Sequence, residues 1–133
     1  GISASFQTSR GCPFQCTFCG NEALTGRNFR IMSVQKLVSK IKMFQNKYNC
    51  HSFVFVDDLT IAGRKQFLEF TTALADIRPK IRWTSTGIRA NLIGRLNEDD
   101  IQLLWDSGCR SLDIGIETGS PGHCALAVDE SAR

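Results

Sequence analysis

Polar and apolar residues alternate along three stretches of the chain, and segments with a helical period separate them. "ISASFQT" sets Ile2, Ala4 and Phe6 against Ser3, Ser5 and Gln7. "IRWTSTG" sets Arg82, Thr84 and Thr86 against Ile81, Trp83 and Ser85, and "RSLDIGIE" sets Leu112, Ile114 and Ile116 against Asp113, Gly115 and Glu117. A fourth stretch, "HSFVFVD", is a short apolar run closed by an acid, the pattern of a buried parallel strand. Successive side chains of a strand point to opposite faces, so these stretches predict a sheet with one oily face and one polar face.

Three helices are predicted between the strands. Val34, Leu37, Val38, Ile41 and Phe44 keep one apolar face, with Ser33 placed to cap the first turn. Phe67, Phe70, Leu74 and Ile77 form a second stripe that Pro79 is expected to stop, because the residue before a proline is driven out of helical geometry. Ile101, Leu104 and Trp105 form the third. Asn97 is its expected cap, Glu98, Asp99 and Asp100 suit its positive end, and Gly108 closes it. The later strands start at Ser52, Ile81 and Ser111, about 30 residues apart, the length of one strand–helix–strand unit. The expected fold is therefore α/β, a parallel sheet with helices packed on it. The interior of a filled barrel would be lined by branched aliphatics. Small and polar residues on this inner face predict a cavity for a polar ligand instead.

Composition narrows the function classes. Of 133 residues, 42% are hydrophobic and 22% charged, as in an ordinary globular chain, and the net charge of +3 gives no support to nucleic acid or an anionic membrane as partner. Lys36, Lys40, Lys42 and Lys47 read as the solvated side of the first helix. No apolar run is long enough to span a membrane, and no signal peptide opens the sequence. The first residue is Gly1 and not methionine, which points to a trimmed start or to a start within a longer protein. Six cysteines in a chain with a full core point to metal before disulfides, and a reducing cytoplasm is the expected compartment.

The densest chemistry is in "SRGCPFQCTFCG", where Cys12, Cys16 and Cys19 are spaced C-x3-C-x2-C. A structural zinc site would need a fourth ligand, from Cys50, His51, His123 or Cys124, none at finger-like spacing. Inert or disulfide-forming thiols would make little use of such crowding. An iron–sulfur cluster held by three thiolates leaves one iron open to an outside ligand. Cys50 and Cys109 read as small buried apolar residues.

C-x3-C-x2-C with an aromatic residue, Phe18, just before the last cysteine resembles the signature of the radical S-adenosylmethionine enzymes. "SRGCPFQCTFC" and "GRNFRIMS" are similar to their cobalamin-associated and methylthiotransferase-like branches. "FVFVDD", "GIRAN" and "IGIETGS" resemble the ends of that family's second, third and fourth strands. The resemblance runs in order from Ile2 to Ser120.

It implies a partial TIM-like barrel, with four of six strand–helix units present, so that residues 1–120 would be the N-terminal part of a catalytic barrel, with the cluster loop at 9–20, and 121–133 a tail of uncertain structure. It also implies a 4Fe–4S cluster on Cys12, Cys16 and Cys19. S-adenosylmethionine would sit at the open iron and be cleaved reductively to a 5′-deoxyadenosyl radical that takes hydrogen from a substrate. Carried over by position, Phe18 lies against the adenine and Gly20 lets backbone approach the cofactor. Asp57 or Asp58 receives the methionyl ammonium, Arg89 the carboxylate and Glu117 the ribose hydroxyls. The resemblance gives no catalytic residue beyond these. An external one-electron donor, the missing barrel half and a cobalamin-binding domain outside this sequence complete the expected partners. The favoured reaction is a cobalamin-type methyl transfer or oxidative rearrangement. The alternatives are an RNA methylthiotransferase-like enzyme and a non-catalytic zinc or iron–sulfur module.

Overall fold

A computed structural model describes residues 1–26, 28–117 and 119. Four strands form one parallel sheet in sequential order: β1 (Ser3–Phe6), β4 (Ser52–Phe55), β5 (Arg82–Arg89) and β6 (Cys109–Gly115). The other two, β2 (Ser9–Arg10) and β3 (Arg30–Ile31), pair antiparallel in a small separate ladder. The helices are α1 (Asn21–Thr25), α2 (Val34–Tyr48), α3 (Arg64–Ala75), α4 (Ala90–Ile93) and α5 (Glu98–Asp106). Each long helix links two neighbouring parallel strands, the arrangement expected of strand–helix units in an α/β barrel. The tail at 121–133, with His123 and Cys124, lies outside the described residues.

Register makes the two-faced sheet concrete. Ala4, Phe53 and Trp83 stand side by side, as do Phe6, Phe55, Ser85 and Leu112. These belong to the helix-facing core or pack against it, apart from Ser85, which is buried beside Thr60. One row over lie Ser5, Val54, Thr84 and Ser111, on the opposite face. The core is aromatic at its centre. The Phe55 ring lies 5.6 Å from Phe70 and 5.5 Å from Trp83, and both Phe55 and Trp83 are fully buried. Trp83 also keeps its polar tip satisfied, its indole N–H donating to the Ser107 carbonyl at 3.1 Å. A buried aromatic of this size is worth about 3–5 kcal/mol on truncation to alanine, so Phe55→Ala would remove much of the stability of a domain this small.

The helices begin as the sequence dictates. Ser33 accepts from the Lys36 amide, and Asn97 and Asp100 form a reciprocal capping box at α5. Gly108, at φ +92, turns the chain into β6 where a Cβ would strike the Ile81 carbonyl. Two expectations need correction. α3 ends at Ala75, so Ile77 is buried from the following turn and Pro79 lies beyond a helix that has already stopped. In α5 the apolar stripe is not a buried face. Ile101 is 49% and Trp105 60% exposed, and the inward side is carried by Asp100 and Leu104. Trp105 instead stacks under the Arg110 guanidinium at 4.0 Å. The physical reason is position, since α5 and β6 are the last described units and no further helix or strand among the described residues packs on them.

Candidate functional site

The cysteine segment leaves the sheet at the carboxyl end of β1, and its root is tied down by one acid. Asp57, at the end of β4, is buried and accepts four hydrogen bonds. Its Oδ1 takes the Thr8 and Ser9 amides at 2.7 and 2.8 Å, and its Oδ2 takes the Thr8 and Thr60 hydroxyls at 2.6 and 3.1 Å. Ser9 adds a bond from its hydroxyl to the Leu59 carbonyl at 2.6 Å. The far end of the segment is brought back by the β2–β3 ladder and by the Met32 amide, which donates to the Thr8 carbonyl at 2.7 Å. Gly11, at φ +78, sits where a Cβ would be 2.5 Å from the Asn28 carbonyl oxygen. Only glycine lets the two ends of the loop approach so closely.

Three free thiols hang from this clamped loop, Cys12 and Cys16 half-buried and Cys19 exposed. The Cys19 amide donates to the Cys16 carbonyl at 3.1 Å, which turns the chain between them. Burial pushes the Cys12 thiol up from its ordinary value, and the backbone N–H of Phe14 opposes that shift. Cys16 and Cys19 raise it further, while the Arg89 guanidinium lowers it. Cys12 thus lies within electrostatic reach of the other two thiols and of the Arg89 guanidinium. Among the described residues no three Cys, His, Asp or Glu side chains already form a metal cage.

The donor set nevertheless discriminates between the possible occupants. Cys50 and His51 stand at the amino end of β4, the end of the sheet away from the loop, and both are engaged there. The Cys50 thiol lies 3.4 Å from the Ile2 carbonyl, and His51 contacts Gln45 and Asn49. Neither supplies a fourth ligand, so among the described residues the loop offers three soft donors. Three thiolates fit a cubane cluster with one uncommitted iron and leave a four-ligand structural zinc incomplete.

The remaining candidates are distributed around the same rim. Asp57 has its carboxylate filled by the loop root, whereas Asp58 beside it is exposed. Arg89 ends β5 with its guanidinium carbon 3.6 Å above the Phe14 ring centroid, and its Nη1 is buried without a hydrogen-bond partner. Glu117 lies two residues past the end of β6, exposed and at φ +62, beyond the strand in which the alternating pattern placed it. Its carboxylate folds back over Gly115, where a Cβ would be 2.9 Å from Oε1, and Gly115 is the register partner of Arg89. A bulge in β5 opposite β6, between Ser85 and Ile88, sets that register. Gly87, at the bulge, packs on the Asp57–Asp58 backbone and accepts from the Thr60 amide at 2.7 Å. Phe18 is 57% exposed, and Gly20 precedes α1 with open space where its side chain would be.

The fold therefore gathers Cys12, Cys16, Cys19 and Arg89 at one end of the sheet and brings Glu117 toward Arg89 through Gly115. It directs Asp57 to a different task. Sequence reasoning passed over Thr8, Ser9 and Phe14. Phe14 did carry a signal, being the one aromatic between the first two thiols of "CPFQC". Thr8 and Ser9 carried none, because their partner lies 49 and 48 residues away.

Comparison with known proteins agrees with this geometry. The family model described as the Radical SAM superfamily matches residues 6–129. An uncharacterised methyltransferase of Pyrococcus horikoshii is 27% identical over 114 residues, 86% of this chain and 24% of that protein. The hopanoid C-2 methylase of Rhodopseudomonas palustris is 28% identical over 121 residues, 90% of this chain and 23% of its own length. The chain thus spans about a quarter of the length of these curated relatives. Among solved structures, the radical S-adenosylmethionine methyltransferase TsrM from Kitasatospora setae, with cobalamin and a 4Fe–4S cluster bound, superposes with a TM-score of 0.67 at 15% identity, covering 92% of this chain and 24% of that one. The cobalamin-dependent S-adenosylmethionine radical enzyme OxsB gives 0.64 at 22% identity, covering 90% and 19%. At those identities the likeness is one of fold, a partial barrel with parallel strands.

Proposed function

The chain belongs to the Radical SAM superfamily, and from that premise we propose that it is the cluster- and cofactor-holding part of a longer radical S-adenosylmethionine enzyme of the cobalamin-associated, methyl-transferring kind. The observation that carries this is the three-thiol loop, clamped at the carboxyl end of a parallel sheet and given no fourth ligand by that sheet. That end is where α/β barrels assemble their chemistry.

Cys12, Cys16 and Cys19 would hold three irons as thiolates. When bound, the cluster supplies the electron that cleaves S-adenosylmethionine to methionine and a 5′-deoxyadenosyl radical. The chain's own residues seat the cofactor. Asp58, exposed on the rim, takes the methionyl ammonium, a role Asp57 is not free to share. Arg89 meets the carboxylate with a charge-assisted bond, which would satisfy its buried Nη1. Glu117 accepts from the ribose diol, and its fold back over Gly115 brings it toward Arg89. Phe18 offers an open ring face to the adenine, and Gly20 leaves that approach clear.

Methyl transfer is supported by the names of the sequence relatives, the methyltransferase of Pyrococcus horikoshii and the hopanoid C-2 methylase among them. Cobalamin and the electron donor would reach the site through parts of the protein, or partners, beyond this chain. Among the described residues no helix is long and apolar enough to cross a membrane.

The test is metal content. After anaerobic loading with iron and sulfide, the protein is expected to hold about four irons per chain with matching acid-labile sulfide. Cys16→Ala is expected to lose most of both. Bound zinc in place of iron, or an unchanged cluster in Cys16→Ala, would overturn the assignment.

A further inference from the structure

Phe14 is a residue for which the roles above leave no task, yet it touches both halves of the site. Its backbone N–H faces the Cys12 thiol, and its ring centroid lies 3.6 Å from the Arg89 guanidinium carbon. Arg89 also has a buried Nη1 with no hydrogen-bond acceptor among the described residues. A buried guanidinium nitrogen without an acceptor is costly to maintain, and such an atom at a candidate ligand site points to an anion that completes it. An arginine also has several rotamers to lose, and the ring removes some of them before any ligand arrives. Phe14 offers Arg89 a ring face and no acceptor, so the stack leaves Nη1 unpaired.

Resting on the cofactor assignment above, we propose that Phe14 is a positioning residue. Its ring holds the Arg89 guanidinium with the unpaired edge aimed at the cofactor carboxylate, so that the cluster loop and the carboxylate contact are set together. The consequence is selective. Loss of the ring should weaken the carboxylate contact while leaving the thiols and the rest of the cofactor seat intact. A stacked cation of this kind is worth about two- to fivefold in affinity when exposed and about thirtyfold when shielded from water, and the half-buried Arg89 falls between.

The experiment measures dissociation constants of the anaerobically loaded protein for S-adenosylmethionine and for its decarboxylated analogue, alongside iron and sulfide content. Phe14→Leu is expected to keep the parent's cluster content, bind S-adenosylmethionine about five- to tenfold more weakly, and bind the analogue unchanged. Phe14→Tyr, which keeps the ring, is expected to restore the preference for the carboxylate. An equal loss for both ligands, or loss of the cluster in Phe14→Leu, would mean the ring merely packs the loop, and the proposal would fail. Arg89→Met separates the two layers of inference. If it abolishes the preference while Phe14→Leu does not, the positioning role fails and the carboxylate contact stands. If Arg89→Met leaves the preference intact, the carboxylate contact itself is wrong.

Discussion

Asp57 offers the sharpest test of how the site is built, because the sequence places two acids side by side and the structure gives them different work. Asp57→Ala removes the acceptor of two buried backbone amides, Thr8 and Ser9, and of two hydroxyls, Thr8 and Thr60. The hydroxyls can turn to other partners, and Thr60 keeps Ser85 at 2.5 Å. The amides cannot turn, and each is left unpaired at a cost of about 1–3 kcal/mol. The expected loss is therefore about 2–6 kcal/mol, against a total of about 5–15 kcal/mol for a domain of this kind. Asp57→Asn should cost less, about 1–2 kcal/mol. Its amide oxygen can still serve the two N–H groups and its nitrogen can face the hydroxyls, but the charge assistance is gone. Asp58→Ala, at an exposed position, should stay within about 0.5 kcal/mol of the parent. Urea unfolding followed by far-ultraviolet circular dichroism reads all three, with Asp57→Ala expected to lower the midpoint by about 1–2 M. The reasoning would be refuted if Asp57→Ala unfolded with the parent, or if Asp58→Ala proved as costly.

Three further outcomes are expected. Asp100 is held below the usual carboxylate range, first by its hydrogen bond with Arg64, against the opposing effect of burial. Its contribution to stability is therefore complete above the unfolded value of about 4 and is lost as pH falls through the lower folded value. Urea midpoints between pH 6 and pH 3 should fall more steeply in the parent than in Asp100→Asn. Gly108→Ala combines a left-handed φ of +92 with a collision against the Ile81 carbonyl, and should destabilise by more than about 1 kcal/mol in the same assay. Glu117→Ala should leave the visible spectrum of the loaded cluster unchanged and weaken S-adenosylmethionine binding, as read by equilibrium dialysis; an unchanged affinity would remove Glu117 from the ribose site.

The parts legible in the sequence were those that depend on local pattern. Period-two alternation in "ISASFQT" and "IRWTSTG" gave the correct inward faces of β1 and β5, and Ser33 and Asn97 marked two helix starts, because caps and strand faces are decided by neighbours along the chain. The stripe on α5 misled because an apolar face requires something to pack on. Ile101 and Trp105 have the right spacing for burial and stand exposed where the described units end. In the site, the thiol spacing was legible as a cluster of three soft donors without any fold. Which of Asp57 and Asp58 turns inward was not, since it depends on which acid meets Thr8 and Ser9, 49 and 48 residues away. The Phe14–Arg89 stack was hidden for the same reason, as it joins the cysteine loop to the end of β5. The β5 bulge that sets the register of Arg89 with Gly115 arises from pairing and leaves no period in the sequence.

The central claim is that the three thiols hold a cluster whose fourth iron takes S-adenosylmethionine. Electron paramagnetic resonance of the anaerobically loaded, reduced protein, recorded with and without that cofactor, tests it most directly. The parent is expected to give a reduced-cluster signal that changes shape on addition of S-adenosylmethionine, and Cys16→Ala to give none. A cluster signal indifferent to the cofactor would contradict it.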